Sequence, residues 1–498
     1  MTEPIMPSDA AATAGSAAPP PTSGAAAPET VRPSGAPASD PNRGYRGPAL
    51  EVMKRFGITV WCEVKARTTR GDFEGLLLPR SETSDALHLV LKLGSGYNIG
   101  IRHDTILSLE KTGYREAHYK IPEQQFPSDP AHPNVKLLGT GGTIASRLDY
   151  RTGAVIPAFS PGELYGSVPE LADVCNLETE KLFGVFSENM GPEQYIKLAE
   201  KIGEAIGDGF DGVVIGHGTD TMHHTAAVLS FMVQNTPVPI IMVGSQRSSD
   251  RPSSDAARNL INATWAAGHG PIAEVLVCMF GPTSDLYNLL HRGTRVRKMH
   301  SSVRSTVRTL GDIPVAMVDS RVVTPLKSDW KPRRKDREVT VQAVYDNRVT
   351  ILYYYPGMQP DVLDAMVEKG YKGVIIAGTG LGHVNRLIYP ALARAREAGV
   401  QLYMTLQTLW GFVQMQVYET GREILELGVV PLANMLPEVA FVKLCWALGV
   451  HPNDPAAVRT LMTTSIAGEM TEREPHDGYL IFQGGIPEVD AFLTRVWR

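Results

Sequence analysis

The first clear pattern along the chain is a series of short alternations of apolar and polar residues. Thr59–Ala66 (TVWCEVKA), Asp72–Leu78 (DFEGLLL), Ala86–Leu93 (ALHLVLKL) and Tyr97–Ile101 (YNIGI) read as strands, separated by Gly, Ser and Asp turn signals. Regular short strands with no helix between them predict a small all-β barrel over residues 46–118. The texture changes at Val135. Short apolar runs (Val135–Leu138, Gly212–Ile215, Pro239–Val243, Val275–Met279) alternate with helical stretches such as Pro192–Ile206 and Ser254–Ala267. Such βαβ alternation implies a parallel sheet covered on both faces. A second block of this kind begins with TILYYY near Thr350 and continues through Gly373–Ala377, Leu387–Ala398 and Leu402–Thr405. The expected fold class is therefore α/β, with a two-domain parallel-sheet core preceded by the small β-barrel.

The stretches between these blocks set the boundaries. Residues 1–40 hold 11 Ala, 8 Pro and no aromatic residue. Ordering them would cost about 1–2 kcal/mol per residue with little to bury in return, so residues 1–45 are expected to be a disordered tail. Residues 119–134, rich in Pro and polar residues, read as a linker. The first α/β domain spans 135–330. A second linker at 331–345 contains Lys331–Arg337 (KPRRKDR), the second α/β domain spans 346–455, and 456–498 form a C-terminal extension.

Composition narrows the function classes. Across 498 residues, Lys+Arg 48 against Asp+Glu 53 gives a net charge of -5. That balance excludes nucleic-acid binding driven by overall charge and leaves a local basic patch open. The four cysteines, Cys62, Cys175, Cys278 and Cys445, lie far apart with no CxxC pair. A cysteine-built zinc site is excluded and a disulfide scaffold disfavoured, so a reducing cytoplasm is expected. The longest uncharged stretches, Thr221–Gln246 and Ala398–Tyr418, are broken by His, Gln, Asn and Pro in the first and by four glutamines in the second. Neither is the run of about 20 mostly apolar residues that a bilayer span needs. The N-terminus lacks the basic start and apolar core of a signal peptide.

Three polar, glycine-bearing loops directly follow apolar strands: Gly139-Thr-Gly-Gly-Thr143, Gly216-His-Gly-Thr-Asp-Thr221 and Gly244-Ser-Gln-Arg247. Ligands in open α/β sheets bind at the carboxyl ends of strands, so the three loops are expected to converge on one site. The first loop is neither a P-loop, since no GK[ST] follows, nor a dinucleotide fingerprint, since Ile144 stands where the third glycine belongs. It leaves backbone N–H groups free to meet an anion or a developing oxyanion beside a threonine hydroxyl. It also reads as a tight turn in which Thr143 caps a helix. In the second loop Thr219 and Asp220 set a hydroxyl beside a carboxylate. A threonine is a poor nucleophile until a base takes its proton, and a lysine whose pKa is lowered by burial can be that base. Asp220 or Thr221 alone would serve equally as an N-cap. His223 and His224 raise a metal reading, which no nearby carboxylate or cysteine cluster supports.

GTGGTIAS (139–146) and GHGTDTM (216–222), in this order and spacing, resemble the two threonine motifs of the bacterial-type L-asparaginase/glutaminase superfamily. GSQR with Ser254, Asp255 and Asn259, and GVIIAGTGLGH (373–383), continue the resemblance to about Val450. Further stretches are closer to one branch, the D subunits of archaeal-type glutamyl-tRNA(Gln) amidotransferases: the small N-terminal β-domain, DYRTGAV (149–155), SENM (187–190), TDTMHHTA (219–226), SSDRPSSDAA (248–257), RVRKMHSS (295–302) and AGEMTER (467–473).

The resemblance implies an asparaginase-like core and four catalytic residues: Thr143 as primary nucleophile, with Thr219, Asp220 and Lys298 as the second threonine, the aspartate and the lysine. Lys298 would otherwise be one more charge beside Arg292, Arg295 and Arg297. Tyr150 matches the tyrosine of a mobile lid, and Ser187 and Glu188 match the pair that holds the α-carboxylate and α-amine of the substrate. Glu188 stands where many asparaginases have glutamine, and His383 where many relatives have an asparagine that reaches across a dimer. The implied activity is hydrolysis of glutamine to supply ammonia for converting Glu-tRNA(Gln) to Gln-tRNA(Gln). The implied assembly is a homodimer joined by two E subunits, which bind tRNA and hold ATP and magnesium. No cofactor or metal is implied in this chain, and no membrane. The alternative is a free-standing cytoplasmic L-asparaginase; a catalytically dead scaffold would need one of the four groups to be missing.

Overall fold

The computed structural model describes residues 42, 44–80, 84–95, 97–115, 128–141, 146–149, 154–157, 168–247, 253–334, 336–475 and 478–479. The expected disordered tail lies almost wholly outside the described residues, as does most of the 119–134 linker. The chain divides into two compact units, Met1–Arg115 and Glu116–Arg498.

The first unit is a five-stranded antiparallel sheet in the order Asn98–Arg102, His88–Leu93, Gly71–Leu77, Cys62–Thr68, Ile106–Tyr114. Cys62, Val64, Ala66 and Thr68 are buried on one face of their strand while Lys65 and Arg67 are exposed on the other, the half-buried alternation that the sequence displays. A helix, Gly47–Phe56, stands where only strands were expected. Its signals are local: a proline in the first turn, Lys54 and Arg55 in the last, and Gly57 closing it at φ 62°. It buries Ala49 and Met53.

Among the described residues, the second unit is built on two main sheets, with three two-stranded ones beside them. The larger has eight strands, in the order 322–325, 316–319, 288–292, 275–280, 240–243, 212–216, 134–141, 176–185. The last five run parallel, as the βαβ pattern predicts. The first three add an antiparallel extension that the pattern did not announce. The smaller sheet, 349–353, 373–378, 401–406 and 430–431, is parallel throughout. In the larger sheet Gly216 is paired with Gly139 on one side and Val243 on the other. The three glycine-bearing loops therefore leave the sheet side by side, at one level and one edge.

The two α/β domains share one core. The helices Met222–Met232 and Pro437–Val450 pack on each other, with the Phe231 and Trp446 rings stacked at 5.9 Å. Both helices are buried on nearly every face, because each is wedged between layers. The KPRRKDR stretch, read as a linker, is anchored at Arg333. Its guanidinium donates to the carbonyls of Gly270 (3.0 Å), Asp211 (2.6 Å) and Ala267 (2.7 Å).

Candidate active site

The first loop is shaped by close approach to the neighbouring strand. Gly141 sits at φ +118°, and a Cβ there would fall 2.2 Å from the Val185 carbonyl oxygen, so only glycine fits. Thr140 is buried and its hydroxyl donates to the Gly216 carbonyl at 2.9 Å, tying the first loop to the second. Thr143 and Tyr150 lie outside the described residues.

The second loop is fixed from behind by His217, which is fully buried. Burial pushes its pKa down to about 4, so the ring is neutral at physiological pH. Its Nδ1–H donates to the Gly218 carbonyl at 2.7 Å, which leaves Nε2 to accept the Thr225 hydroxyl at 2.9 Å. Gly218 packs so closely on Ser187 that a Cβ would lie 2.8 Å from the serine Cβ. Thr221 stands at the N-cap position of the next helix, yet its hydroxyl donates to the Ser187 carbonyl at 2.6 Å rather than capping that helix. Ser187 is buried and Glu188, the next residue of the same 3-10 turn, is exposed.

Lys298 comes from a separate element, the hairpin of Val296–Lys298 with Val307–Thr309. Its Nζ donates to Thr219 Oγ1 at 3.0 Å and to Asp220 Oδ1 at 2.7 Å. Three of the residues singled out in the sequence thus form one hydrogen-bonded unit, although Lys298 lies 78 residues from Asp220 in the chain. Thr219 is buried and the Lys298 side chain nearly so, while the Asp220 side chain is 70% exposed. A hydroxyl, an ammonium and a carboxylate joined in this way, buried at one end and exposed at the other, can pass a proton between them.

The third loop presses on Thr219. A Cβ on Gly244 would lie 2.8 Å from Thr219 Cγ2 and 2.7 Å from the His217 carbonyl oxygen. This loop is held by the fully buried Asp255, whose carboxylate accepts the N–H of Gln246 through both oxygens (3.0 Å each) and that of Arg247 (3.1 Å). Burial pushes the Asp255 pKa up, and these donors oppose the push. Asn259 donates to Asp255 and to the Gly244 carbonyl, both at 2.9 Å. The sequence motif contained Asp255 and Asn259 without assigning them a role; their role here is to set the loop behind Thr219.

One candidate lies apart from this group. His383 is in the second α/β domain, at the carboxyl end of the strand Gly373–Gly378. Its Nδ1 pairs with the Thr420 hydroxyl at 3.2 Å, and its ring meets Tyr418 edge-on at 5.4 Å. His223 and His224 face each other at 4.4 Å between ring centroids. Burial lowers their pKa values to about 2 and about 4. Among the described residues no group of three His, Cys, Asp or Glu is arranged to hold a metal. No helix among them is long and apolar enough to cross a membrane.

Comparison with known proteins agrees with this geometry. Residues 134–330 match the family description "Asparaginase, N-terminal", residues 348–462 "Glutaminase/Asparaginase C-terminal domain" and residues 60–111 "GatD N-terminal domain". The chain is 46% identical to the D subunit of the glutamyl-tRNA(Gln) amidotransferase of Methanopyrus kandleri, over 86% of this chain and 94% of that one. It is 47% identical to the protein of the same name from Thermococcus kodakarensis, over 86% and 98%. Among solved structures it resembles the thermostable L-asparaginase of Thermococcus kodakarensis, with TM-score 0.61 and 32% identity over 68% of this chain and 99% of that one. It also resembles L-asparaginase I of Vibrio cholerae, with TM-score 0.59 and 27% identity over 68% and 100%. The asparaginases are thus covered end to end while about a third of this chain is left over, whereas the D subunits account for most of it. With its asparaginase-like core and its additional N-terminal β-domain, the chain belongs to the family of glutamyl-tRNA(Gln) amidotransferase D subunits.

Proposed function

We infer that the chain hydrolyses glutamine as the glutaminase component of a tRNA-dependent amidotransferase. The observation that carries this reading is the Thr219–Asp220–Lys298 unit, assembled in a chain that matches D subunits in its β-domain as well as its core. The α-carboxylate and α-amine of free glutamine are held by the Ser187/Glu188 and Thr219/Asp220 loops. Tyr150 closes over the substrate, and His383 contributes to a site formed across a homodimer. The Thr143 hydroxyl attacks the side-chain amide carbon and gives up its proton. Backbone N–H groups of the glycine-rich loop meet the oxyanion, one such donor being worth about 3 kcal/mol. Collapse of the tetrahedral intermediate breaks the C–N bond; the nitrogen takes a proton and leaves as ammonia. Water then cleaves the threonyl ester to release glutamate. Lys298 and Asp220 carry protons in both halves.

The ammonia serves a partner E subunit that holds tRNA, ATP and magnesium and amidates glutamate on Glu-tRNA(Gln). The assembly works in the cytoplasm. Its test is Thr143→Ala in the assembled complex. Glutamine-dependent Gln-tRNA formation is expected to fall by about 10³-fold or more, while formation from added ammonium persists. Normal glutamine turnover by the variant would remove Thr143 from the chemistry. Selectivity separates this reading from a free-standing asparaginase, which would hydrolyse asparagine in preference and show no stimulation by Glu-tRNA(Gln) and partner.

A further inference from the structure

Residues 464–475 lie past the matched C-terminal domain, which ends at 462, and the chemistry above gives them no task. They are nonetheless bound into the molecule. Glu469 and Lys443 are both fully buried and meet at 2.5 Å. The Glu469 carboxylate also accepts the N–H groups of Ile466 (3.0 and 3.1 Å) and Ala467 (2.7 Å), and Lys443 donates again to the Thr464 carbonyl at 2.6 Å. Such a pair holds its geometry, because loss of either partner would leave a lone charge in apolar surroundings.

From this anchor the segment reaches two elements. Arg295, fully buried, donates through Nη1 to the carbonyls of Asn434 (2.8 Å) and Glu469 (3.2 Å) and through Nη2 to that of Gly311 (2.9 Å). It stands three residues before Lys298 at the base of the Val296–Lys298 hairpin, where its own carbonyl accepts the Leu310 N–H at 2.8 Å. The Glu474 carboxylate accepts the Gly411 N–H at 3.0 and 3.1 Å and Asn434 Nδ2 at 3.1 Å. Asn434 in turn donates to the Thr471 hydroxyl (2.7 Å) and accepts the Thr471 N–H (3.0 Å). Gly311, at φ +63°, completes the junction. A Cβ there would lie 2.4 Å from Arg295 Nη2 and 2.7 Å from Glu474 Oε1.

We propose that residues 464–475 are a positioning strap of the glutaminase centre: docked on Lys443 and Arg295, they hold the base of the hairpin and thereby the reach of Lys298 to Thr219 and Asp220. Glu469 and Glu474 are positioning residues, acting through Arg295 and Asn434. The inference rests on the reading of Lys298 as the proton-relay lysine. Its contacts of 3.0 and 2.7 Å leave little slack, since a hydrogen bond is gone beyond about 3.5 Å. Displacing a reacting group by about 1 Å can cost about 100-fold in rate.

The test is steady-state glutaminase kinetics on the full chain assembled with its partner subunit. Glu474→Ala is expected to lower kcat at least about tenfold, with KM for glutamine changed less than about threefold and Tm nearly kept. Glu474→Gln, which keeps an acceptor for Gly411, is expected to recover most of the rate. Thr471→Val removes a single hydroxyl and carries the test with an expected loss of about threefold should Glu474→Ala not fold. Because the strap acts through Lys298, Glu474→Ala added to Lys298→Met is expected to cost nothing further. Wild-type kcat in both strap variants, or a loss that multiplies with that of Lys298→Met, overturns the proposal. Normal turnover by Lys298→Met alone would instead overturn the relay reading, and the strap with it.

Discussion

Three basic residues of one stretch, Arg292, Arg295 and Lys298, look alike in the sequence and differ completely in place. Arg292 is buried against Glu274, with Nε to Oε2 at 2.8 Å, and Arg295 is enclosed by backbone carbonyls. Lys298 alone of the three reaches the hydroxyl and carboxylate of the Thr219–Asp220 loop. Its ion pair with the largely exposed Asp220 is of the kind worth about 0–1 kcal/mol. That is too little for a stabilising role to explain it. Lys298→Met is therefore expected to leave Tm within a few degrees while glutamine turnover drops by about 100-fold or more. Thr219→Val should lose a similar amount, and the double variant no more than either, since groups acting as a unit are non-additive. Effects that multiply in single-turnover assays would assign the two side chains separate jobs.

At the scale of elements, the second loop is fastened to its following helix by His217, whose ring bridges the Gly218 carbonyl and the Thr225 hydroxyl. Its folded pKa of about 4 lies below the ordinary histidine value of 6.5. Above about pH 6.5 the ring is neutral in both states and the full stability is present. As pH falls the unfolded chain takes up the proton first, so stability is lost between about 6.5 and 4 and no further below. For this fully buried ring the loss is on the order of 3 kcal/mol. Denaturant titrations across that range are expected to show the slope in the native protein and a shallower one in His217→Gln; equal slopes would place the acid sensitivity elsewhere. The loops themselves were legible as glycine-bearing strand ends. What was not legible is that Gly141 is demanded by the Val185 carbonyl, because that strand arrives from 44 residues further on. The Gly47–Phe56 helix went unread because its ten residues sit between the Ala/Pro-rich tail and the first strand-like run, and its cap signals weigh less than the period-2 pattern that follows.

The whole molecule divides into a unit that carries the chemistry and a smaller one outside the asparaginase-like core. Under the proposed assembly, the loop 378–383 with His383 closes the site of a neighbouring copy and the first unit serves the partner subunit. Removing residues 1–118 is then expected to leave glutaminase chemistry and the homodimer in place and to weaken tRNA-coupled amidation. A light-scattering mass for the intact, fully active protein equal to one chain would refute the dimer. Coupled activity untouched by the deletion would take the first unit out of the mechanism.

Local sequence was enough for the fold class, for most of the parallel strands of both α/β domains and for the three loops, but not for the antiparallel extension of the larger sheet. Hydrophobic period and glycine placement are short-range properties, readable within one element. The residues of the proposed relay were also present in the chain, through motifs spaced as in a known superfamily. Only the tertiary structure decided that Lys298 meets Thr219 and Asp220 while Arg295 does not. The choice turns on a hairpin folding back onto a loop some 78 residues earlier, and on Arg295 donating instead to the backbone carbonyls of Asn434, Glu469 and Gly311. Burial and partner sets of charged side chains are long-range properties. Basic residues in one stretch therefore carry the same local signal whether they are enclosed by backbone carbonyls or reach a hydroxyl and a carboxylate on a distant loop.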